Sequence, residues 1–302
     1  MCITWCINAF CPTVPYRNSN KNVVYSNPDS VNIESVKLPD SISQIRAGAF
    51  DGCENLKSIN MPESLSYIDE EAFLNCSSLK SLEFTNLRSI DTNAFKGCSS
   101  LENLEFSNQL SSIGGGAFYG TKIKNLNIIS PEKAFVASKS MLEGAVVENV
   151  TIEAKSVTLN SDALKAETLK NVEIKGTDYV TIASDGIVSS ILKNLTLEGE
   201  KITVGSNGID CDALESFTLK GKTITINNNG VKSNALKTLT LDGILTIGSY
   251  GIVCNALEDL TLIGSVSSIT TDAILSTSLK NVTIDMDMNG LYTNAFGSPG
   301  DD

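Results

Sequence analysis

The chain has 302 residues, of which 41% are hydrophobic and 19% are charged, so it carries enough apolar material for a sizeable core and is not a disordered chain. Thirty-five acidic against 23 basic residues give a net charge of −12, which repels nucleic-acid phosphates and anionic lipids. The sequence contains no histidine, which removes the Ser-His and Cys-His nucleophiles and the commonest zinc ligand. We therefore expect no nucleic-acid partner, no metal and none of the usual hydrolase mechanisms.

Residues 1–35 precede the repetitive part of the chain and contain an apolar run over residues 2–11. No lysine or arginine comes before this run, so the basic segment that opens a secretory signal is missing. Two interpretations stay open for residues 1–35: a leader, or a cap over the first coil. No uninterrupted apolar stretch of the whole sequence reaches the roughly 20 residues of a membrane span, so we expect no membrane insertion.

A repeated unit starts near residue 45 and is marked by an Ala-Phe pair. The phenylalanines of these pairs are Phe50, Phe73, Phe95 and Phe118, at steps of 22 or 23 residues. The last apolar residue of each unit, which we call the anchor, keeps this spacing far beyond the Ala-Phe pairs. The anchors are Val36, Ile59, Leu82, Leu104, Leu126, Val150, Val172, Leu195, Phe217, Leu239, Leu260 and Val282.

The anchor spacing falls within the period of leucine-rich repeats, which stack as coils of a solenoid. Residues 36–129 form the regular repeats, and residues 130–302 are predicted to be divergent repeats that continue the same solenoid. Each anchor opens an alternating run such as Leu195-Thr196-Leu197, and a second run such as Ile202-Thr203-Val204 follows in the later units. We therefore expect two strands per coil, stacked as parallel β-ladders.

A small residue recurs before each anchor, where a coil must lie close to its neighbour. Its occupants are Cys53, Cys76, Cys98, Gly120, Gly144, Ala166, Ser189, Cys211, Ser233, Cys254 and Ser276. Because serine, alanine and glycine substitute for cysteine here, size is the property that matters, and we expect the five cysteines to be free buried thiols. Cys2, Cys6 and Cys11 lie outside the array and have no standard zinc spacing.

The unit Leu65-x-x-Ile68-x-x-x-Ala72-Phe73-x-x-Cys76-x-x-Leu79-x-x-Leu82, with Pro39 and Pro62 after the strands, resembles the BspA-like leucine-rich repeat (LRR). The resemblance and the array together predict a mainly β, right-handed LRR solenoid of about 12 coils with parallel β-ladders. Members of that family are mostly surface or secreted proteins of host-associated bacteria and some parasitic protists, where they are implicated in adhesion. The resemblance thus implies binding rather than catalysis, with no catalytic residue and no cofactor.

The outward positions of the first strand form the candidate ligand-binding face. Its residues are Glu83, Glu105, Asn127, Ile129, Thr151, Glu173, Thr196, Thr218, Thr240 and Ile263. They could hydrogen-bond an extended protein or a glycan. The alternative is structural, since threonine suits an exposed strand and the asparagines that precede the anchors could satisfy one another along the ladder. Glu83 and Glu105 resemble a glycosidase pair, but no pocket is predicted around them.

Two functions are consistent with these features. The first is a non-catalytic adhesion module at the cell surface or after secretion, which binds a protein of the host, the matrix or another microbe, or a glycan. The alternative is an intracellular LRR scaffold for protein–protein interaction, favoured by free cysteines and by the missing basic segment. A cytoplasmic location is therefore not excluded. The unit that begins at Leu291 and Ala295 lacks a covering helix, so end-to-end self-association is also expected to be possible.

Overall fold

The computed structural model describes residues 16–17, 23–24, 33–106, 108–287 and 295–297. Within these ranges the backbone is strand and turn, with no helix. The predictions for Cys2, Cys6, Cys11 and Leu291, and most of the leader or cap proposed for residues 1–35, lie outside the described residues. The described part of the chain folds as a parallel β-solenoid of about 12 turns, as the repeat period predicts.

Strands β1 (Tyr16–Arg17) and β2 (Val23–Val24) form a separate antiparallel pair. The short strands of the first part of the solenoid are β3 (Ser35–Val36), β4 (Gln44–Ile45), β5 (Ser58–Ile59), β6 (Tyr67–Ile68), β7 (Ser81–Glu83), β8 (Ser89–Ile90), β9 (Asn103–Glu105) and β10 (Ser112–Ile113).

Long strands of mostly ten to thirteen residues alternate with short ones in the second part. They are β11 (Asn125–Ala137), β12 (Asn149–Leu159), β13 (Leu164–Lys165), β14 (Asn171–Ile182), β15 (Ile187–Val188), β16 (Asn194–Val204), β17 (Ile209–Asp210), β18 (Ser216–Ile226), β19 (Val231–Ser233), β20 (Thr238–Ile247), β21 (Ile252–Cys254), β22 (Asp259–Ile269), β23 (Ile274–Leu275), β24 (Asn281–Asp287) and β25 (Phe296–Gly297).

Strand β11 joins the two parts of the solenoid. Its beginning pairs with β9, through Asn127 and Glu105, and its end pairs with β10, through Ala137 and Ile113. From β12 onward the two predicted strands of each coil are therefore one continuous strand that bends. The long strands β11, β12, β14, β16, β18, β20, β22 and β24 pair in one parallel sheet, and most of these pairings shift register within the strand. A second parallel sheet runs from β13 to β25 through alternate strands.

A column of glycines lies at the bend of the long strands β14, β16, β18, β20 and β22. Gly176, Gly199 and Gly221 are paired in register, and so are Gly243 and Gly264, whereas the register shifts between Gly221 and Gly243. A Cβ added to Gly221 would lie 2.6 Å from the carbonyl oxygen of Gly199 in the preceding coil. Because backbone cannot move aside as a flexible side chain can, only glycine fits this close approach.

The core fills the interior of the coils as stacked columns of equivalent side chains. In the first part the rings of Phe50 and Phe73 stack with centroids 5.1 Å apart, and those of Phe73 and Phe95 with centroids 5.3 Å apart. In the second part fully buried aliphatic residues take the same place. They are Leu142, Leu164, Ile187, Ile209, Val231, Ile252 and Ile274. The core column thus changes from phenylalanine to aliphatic side chains between the two parts.

One turn residue per coil, just before this core column, has a left-handed backbone. Asn207 and Asn229, each followed by a glycine, have φ angles of 53° and 55°. Equivalent residues with positive φ are Glu71, Asn93, Ser140, Asp162, Asp185, Tyr250 and Asp272, as well as Gly48 and Gly116. Asparagine and aspartate tolerate this conformation better than most residues, which explains their abundance at the turn.

The column of small residues is buried as predicted, with corrections at three positions. Thr121 and Ala145, rather than Gly120 and Gly144, are the buried members, because their amides bond to the carbonyls of Phe118 and Leu142 as the Cys98 amide does to Phe95. Compared with the unit of Cys98, the units of Thr121 and Ala145 have one residue fewer between the core residue and the anchor, and the missing residue lies after the small residue rather than before it. Cys53 is in a disulfide bond, so the expectation of a free thiol is wrong there.

Four cysteines of this column are free and buried: Cys76, Cys98, Cys211 and Cys254. The thiols of Cys76 and Cys98 donate to the carbonyl oxygens of Phe50 and Phe73, each in the preceding coil. Burial raises the pKa of Cys211 and of Cys254 to about 12. The thiols of Cys211 and Cys254 are thus protonated at neutral pH, and all four cysteines serve as small core residues.

Candidate functional site

Eight of the ten residues predicted for the binding face lie in a single column, one per coil, which we call the polar column. Each is paired in register with its neighbour: Glu83, Glu105, Asn127, Thr151, Glu173, Thr196, Thr218 and Thr240. All eight are exposed or partly exposed, because their strands alternate inward apolar and outward polar residues. The structure therefore brings these predicted residues together on one face.

Ile129 and Ile263, the other two predicted residues, lie two positions further along their strands. There they belong to a second outward column, which we call the charged column. Ile129 lies at its start and Ile263 lies near its end. Ile129 is 39% exposed and Ile263 is partly buried. Between them the in-register residues are Glu153, Lys175, Glu198, Lys220 and Asp242.

The sign of the charge alternates at every coil of the charged column. Sequence reasoning missed this pattern, although it is readable from the sequence as the residue three positions after each anchor. Neighbouring coils of a parallel ladder are about 4.8 Å apart, so charges of like sign recur about every 9.6 Å. Alternation places each charge beside opposite neighbours and avoids the repulsion that a column of one sign would create.

Lys175 holds the best-paired position of the charged column. Its Nζ lies 2.6 Å from Oε1 of Glu173, which belongs to the polar column on the same strand. The hydrogen bond to Glu173 and its charge raise the pKa of Lys175, and the charges of Glu198 and Glu153 act in the same direction. Glu153, Glu198, Lys220 and Asp242 form no ion pair within 4.0 Å among the described residues, so their charges face solvent.

A groove of about 630 Å³ runs beside the charged column, above the bend of the long strands. Gly176, Gly199, Gly221 and Gly243 lie along it, between two rows of outward side chains. The charged column forms one wall, from Glu153 to Asp242. The opposite wall contains Thr177, Glu200 and Lys222, of which Glu200 and Lys222 form an ion pair. The groove follows the solenoid axis across five coils.

The asparagines on the other side of the polar column form a hydrogen-bonded ladder. Nδ2 of Asn149 donates to Oδ1 of Asn125, Asn171 donates to Asn149, and Asn194 donates to Asn171, each at 2.6 Å. The amide groups that would recognise a ligand are thus used between coils. For these four residues the contacts favour the structural alternative.

A further column of charges, which we call the edge column, lies two residues before each anchor and was also missed from the sequence. Its members are Glu34, Lys57, Lys80, Glu102, Lys124, Glu148, Lys170, Lys193, Glu215, Lys237, Glu258 and Lys280. Ion pairs connect neighbouring coils along it, for example Lys57 with Glu34 at 3.0 Å and Lys193 with Glu215 at 2.9 Å. Both partners are exposed in each pair, so the pairs contribute little individually.

Chemically, this face offers hydroxyls, carboxylates and ammonium groups on a rigid sheet. Glu83 and Glu105 are adjacent in the ladder and both exposed. Among residues 33–106, 108–287 and the shorter described ranges, no cluster of His, Cys, Asp or Glu could hold a metal ion. In the same ranges no helix is long and apolar enough to cross a membrane. The arrangement is suited to noncovalent binding of an extended partner.

The repeat period, the stacked coils and the ladder of outward side chains define a leucine-rich-repeat solenoid. The sequence profile described as "BspA type Leucine rich repeat region" matches residues 22–141, 137–250 and 192–299, in six copies. The chain therefore belongs to the BspA-type leucine-rich repeat family. Its repeats are of a kind that generally mediates protein interactions and is generally not catalytic.

Three solved structures are similar to this chain at 17–19% sequence identity. The pneumococcal vaccine antigen PcpA is 19% identical, with a TM-score of 0.39 over 95% of this chain and 77% of its own. A leucine-rich cell surface protein from Faecalibacterium prausnitzii is 17% identical, with a TM-score of 0.33 over 83% and 79%. A leucine-rich repeat protein from Bacteroides ovatus is 18% identical, with a TM-score of 0.40 over 95% and 76%. No curated protein matches the sequence.

Proposed function

We propose that this leucine-rich-repeat protein is a non-catalytic adhesion module that acts at the cell surface or after secretion. It engages a protein of the host, the matrix or another microbe, or a glycan, through the polar and charged columns. The observation that carries the proposal is the in-register polar column, which presents one hydrogen-bonding side chain per coil over eight coils. The family to which the repeats belong supports the assignment to surface binding.

A flat, rigid ladder suits an extended partner better than a small molecule. Its groups repeat at a fixed distance of about 4.8 Å and need no rearrangement on binding, so little conformational entropy is lost by the protein. Each contact is exposed and individually weak, but several contacts in a row to one chain add up. We expect affinity to depend on the length of the partner rather than on any single residue.

The location is tested on intact cells of the source organism. Antibody labelling and protease shaving are compared before and after permeabilisation. Labelling of intact cells is the expected result. Labelling only after permeabilisation contradicts the proposal and favours the intracellular scaffold.

The binding face is tested by combining Glu83→Ala, Glu105→Ala, Thr196→Ala and Thr218→Ala in one variant. We expect reduced adhesion to immobilised matrix proteins or glycan arrays. The matched control is Thr203→Ala with Thr225→Ala, because these threonines lie on the same strands β16 and β18, beyond the glycine bend. Equal adhesion of a correctly folded four-residue variant and the wild type would exclude this face.

A further inference from the structure

We propose that the groove beside the charged column binds an extended polypeptide in the polyproline II conformation, with basic and acidic residues each repeating every three positions. This inference rests on the proposed function, because the groove shares the charged column with the binding face. It adds the chemical class and the conformation of the partner. The starting observation is that an indented surface and an alternating row of charges coincide over five coils.

The charges of the groove are available to a partner. Glu153, Glu198 and Asp242 are carboxylates two coils apart, with Lys175 and Lys220 between them. Apart from the pair of Lys175 with Glu173, none of the five forms an ion pair among the described residues. A partner that supplies opposite charges at the same spacing thus gains attraction without first breaking an existing pair, except at Lys175.

The spacing of the charges selects the conformation of the partner. Like charges of the groove repeat about every 9.6 Å, which is two coils of about 4.8 Å. A polyproline II helix rises about 3.1 Å per residue with three residues per turn, so every third side chain returns to the same edge after about 9.3 Å. A β-strand places side chains on one face about every 6.7 Å, which does not match.

The groove is shallow and open along its length, so an extended chain can lie in it. Its bottom is the partly exposed backbone of Gly199, Gly221 and Gly243, between outward side chains on either side. A backbone lying in the groove would present its basic edge to the carboxylates and its acidic edge to the ammonium groups, while the third edge faces solvent.

Fixed charges of both signs favour a polypeptide over a glycan as the partner. A neutral glycan has no charge to offer, and an acidic glycan has only one sign, which three of the five residues in the charged column would repel. A peptide with lysine and glutamate supplies both signs. The polyproline II form also has a low ordering cost for proline-rich segments, because proline fixes φ before binding.

The test uses a fluorescently labelled peptide, (Lys-Glu-Pro)4, titrated against the full chain by fluorescence polarisation. The comparison peptide is (Lys-Lys-Pro-Glu-Glu-Pro)2, which has the same composition and the same proline positions but a charge repeat of six. We expect the comparison peptide to bind at least about tenfold more weakly, because it puts like charges opposite Lys175 and Glu198. Added salt should weaken binding of the first peptide.

A pair of matched variants assigns the site. Lys220→Glu breaks the alternation in the groove, whereas Lys237→Glu makes the same change at an exposed lysine of the edge column, outside the groove. We expect Lys220→Glu to weaken (Lys-Glu-Pro)4 binding about tenfold and Lys237→Glu to leave it within about twofold. Circular dichroism verifies that both variants are folded.

Three outcomes overturn the inference. Equal binding of the two peptides excludes a role for charge spacing, and equal effects of the two variants exclude the groove. Tighter binding of a neutral β-linked glucan than of the peptide assigns the groove to a glycan. In each case, if the Glu83, Glu105, Thr196 and Thr218 variant still loses adhesion, the proposed function stands and only the groove is wrong.

Discussion

The two parts of the solenoid keep the same repeat period with different materials. In the coils up to residue 124 the core column is phenylalanine, the strands have two or three residues, and a second positive-φ residue such as Gly97 follows the ring. From β11 onward the core column is aliphatic, the strands are long and bent, and the loop after the core residue is one residue shorter. Both parts therefore stack their coils by the same parallel backbone pairing, whereas the side chains that fill the coils differ.

The largest effect of a single substitution is expected in the aromatic stack of the first part. Phe95→Ala removes a ring that lies 5.3 Å from Phe73 and 6.1 Å from Phe118, centroid to centroid. We expect a loss of about 4 kcal/mol in local opening free energy, because a large buried ring leaves a cavity. Hydrogen exchange measured by mass spectrometry should show this loss in β7 to β11.

The matched substitution in the aliphatic part is Ile209→Ala. We expect it to lower the local opening free energy of β15 to β19 by about 3 kcal/mol. In a quasi-one-dimensional fold each effect should decay with distance from the altered coil. Faster exchange throughout the chain in either variant would show that the two parts unfold as one unit, and would contradict this local interpretation.

The glycine bend is the second point of difference, since only the long strands have it. We expect Gly221→Ala to cost about 2 kcal/mol, because its Cβ would meet the Gly199 carbonyl oxygen at 2.6 Å. Ala154 occupies the equivalent position two coils before Gly199 and carries a Cβ there. Ala154→Gly should therefore cost only about 1 kcal/mol or less. Urea unfolding followed by circular dichroism compares them, and equal stabilities for the two variants would mean that the bend tolerates a methyl group.

The sequence was sufficient for the parts of this fold that repeat. Anchor spacing predicted the coils, because this signal recurs at the same place in every unit. The prediction of the small-residue column was wrong at Gly120 and Gly144. In these two units the segment from the core residue to the anchor is one residue shorter than in the unit of Cys98, and the spacing between anchors does not show whether the missing residue lies before or after the small residue.

The candidate site was predicted less completely than the fold. The polar column follows directly from alternation along the strands. The charged column was missed because Ile129 and Ile263, which lie in it, were assigned to the same predicted face as the polar column. The groove could not be predicted, because it depends on how deeply the bend at Gly199 and Gly221 indents the surface. That depth is set by packing between coils rather than by any local motif.

The asparagine ladder offers a smaller test of the second part. Asn171 donates to Asn149 and accepts from Asn194, both at 2.6 Å. We expect Asn171→Ala to cost about 1 kcal/mol, since two hydrogen bonds are lost at a partly exposed site. Ser216 follows in the same column, and Ser216→Ala should change stability by less than about 0.5 kcal/mol. If thermal unfolding gives the same stability for both variants, the ladder contributes nothing beyond ordinary strand residues.

The smallest effect is expected at the edge column. Lys193→Ala breaks an exposed ion pair with Glu215 and should change the free energy of unfolding by less than about 0.5 kcal/mol. The effect should vanish at high salt, because screening removes what attraction there is. A loss above about 1 kcal/mol in a chemical denaturation experiment would show that the column acts as a coupled network rather than as separate pairs.

Charge alternates from Lys193 to Lys280 in the edge column, and this alternation constrains how that stretch of the array can grow or shrink by recombination. Loss of the single repeat that carries Glu215 would place Lys193 beside Lys237, so two like charges would face each other across neighbouring coils. Loss of the two repeats that carry Glu215 and Lys237 would place Lys193 beside Glu258 and keep opposite signs in contact. In this stretch of the array, repeats are therefore gained or lost at the lowest electrostatic cost in pairs.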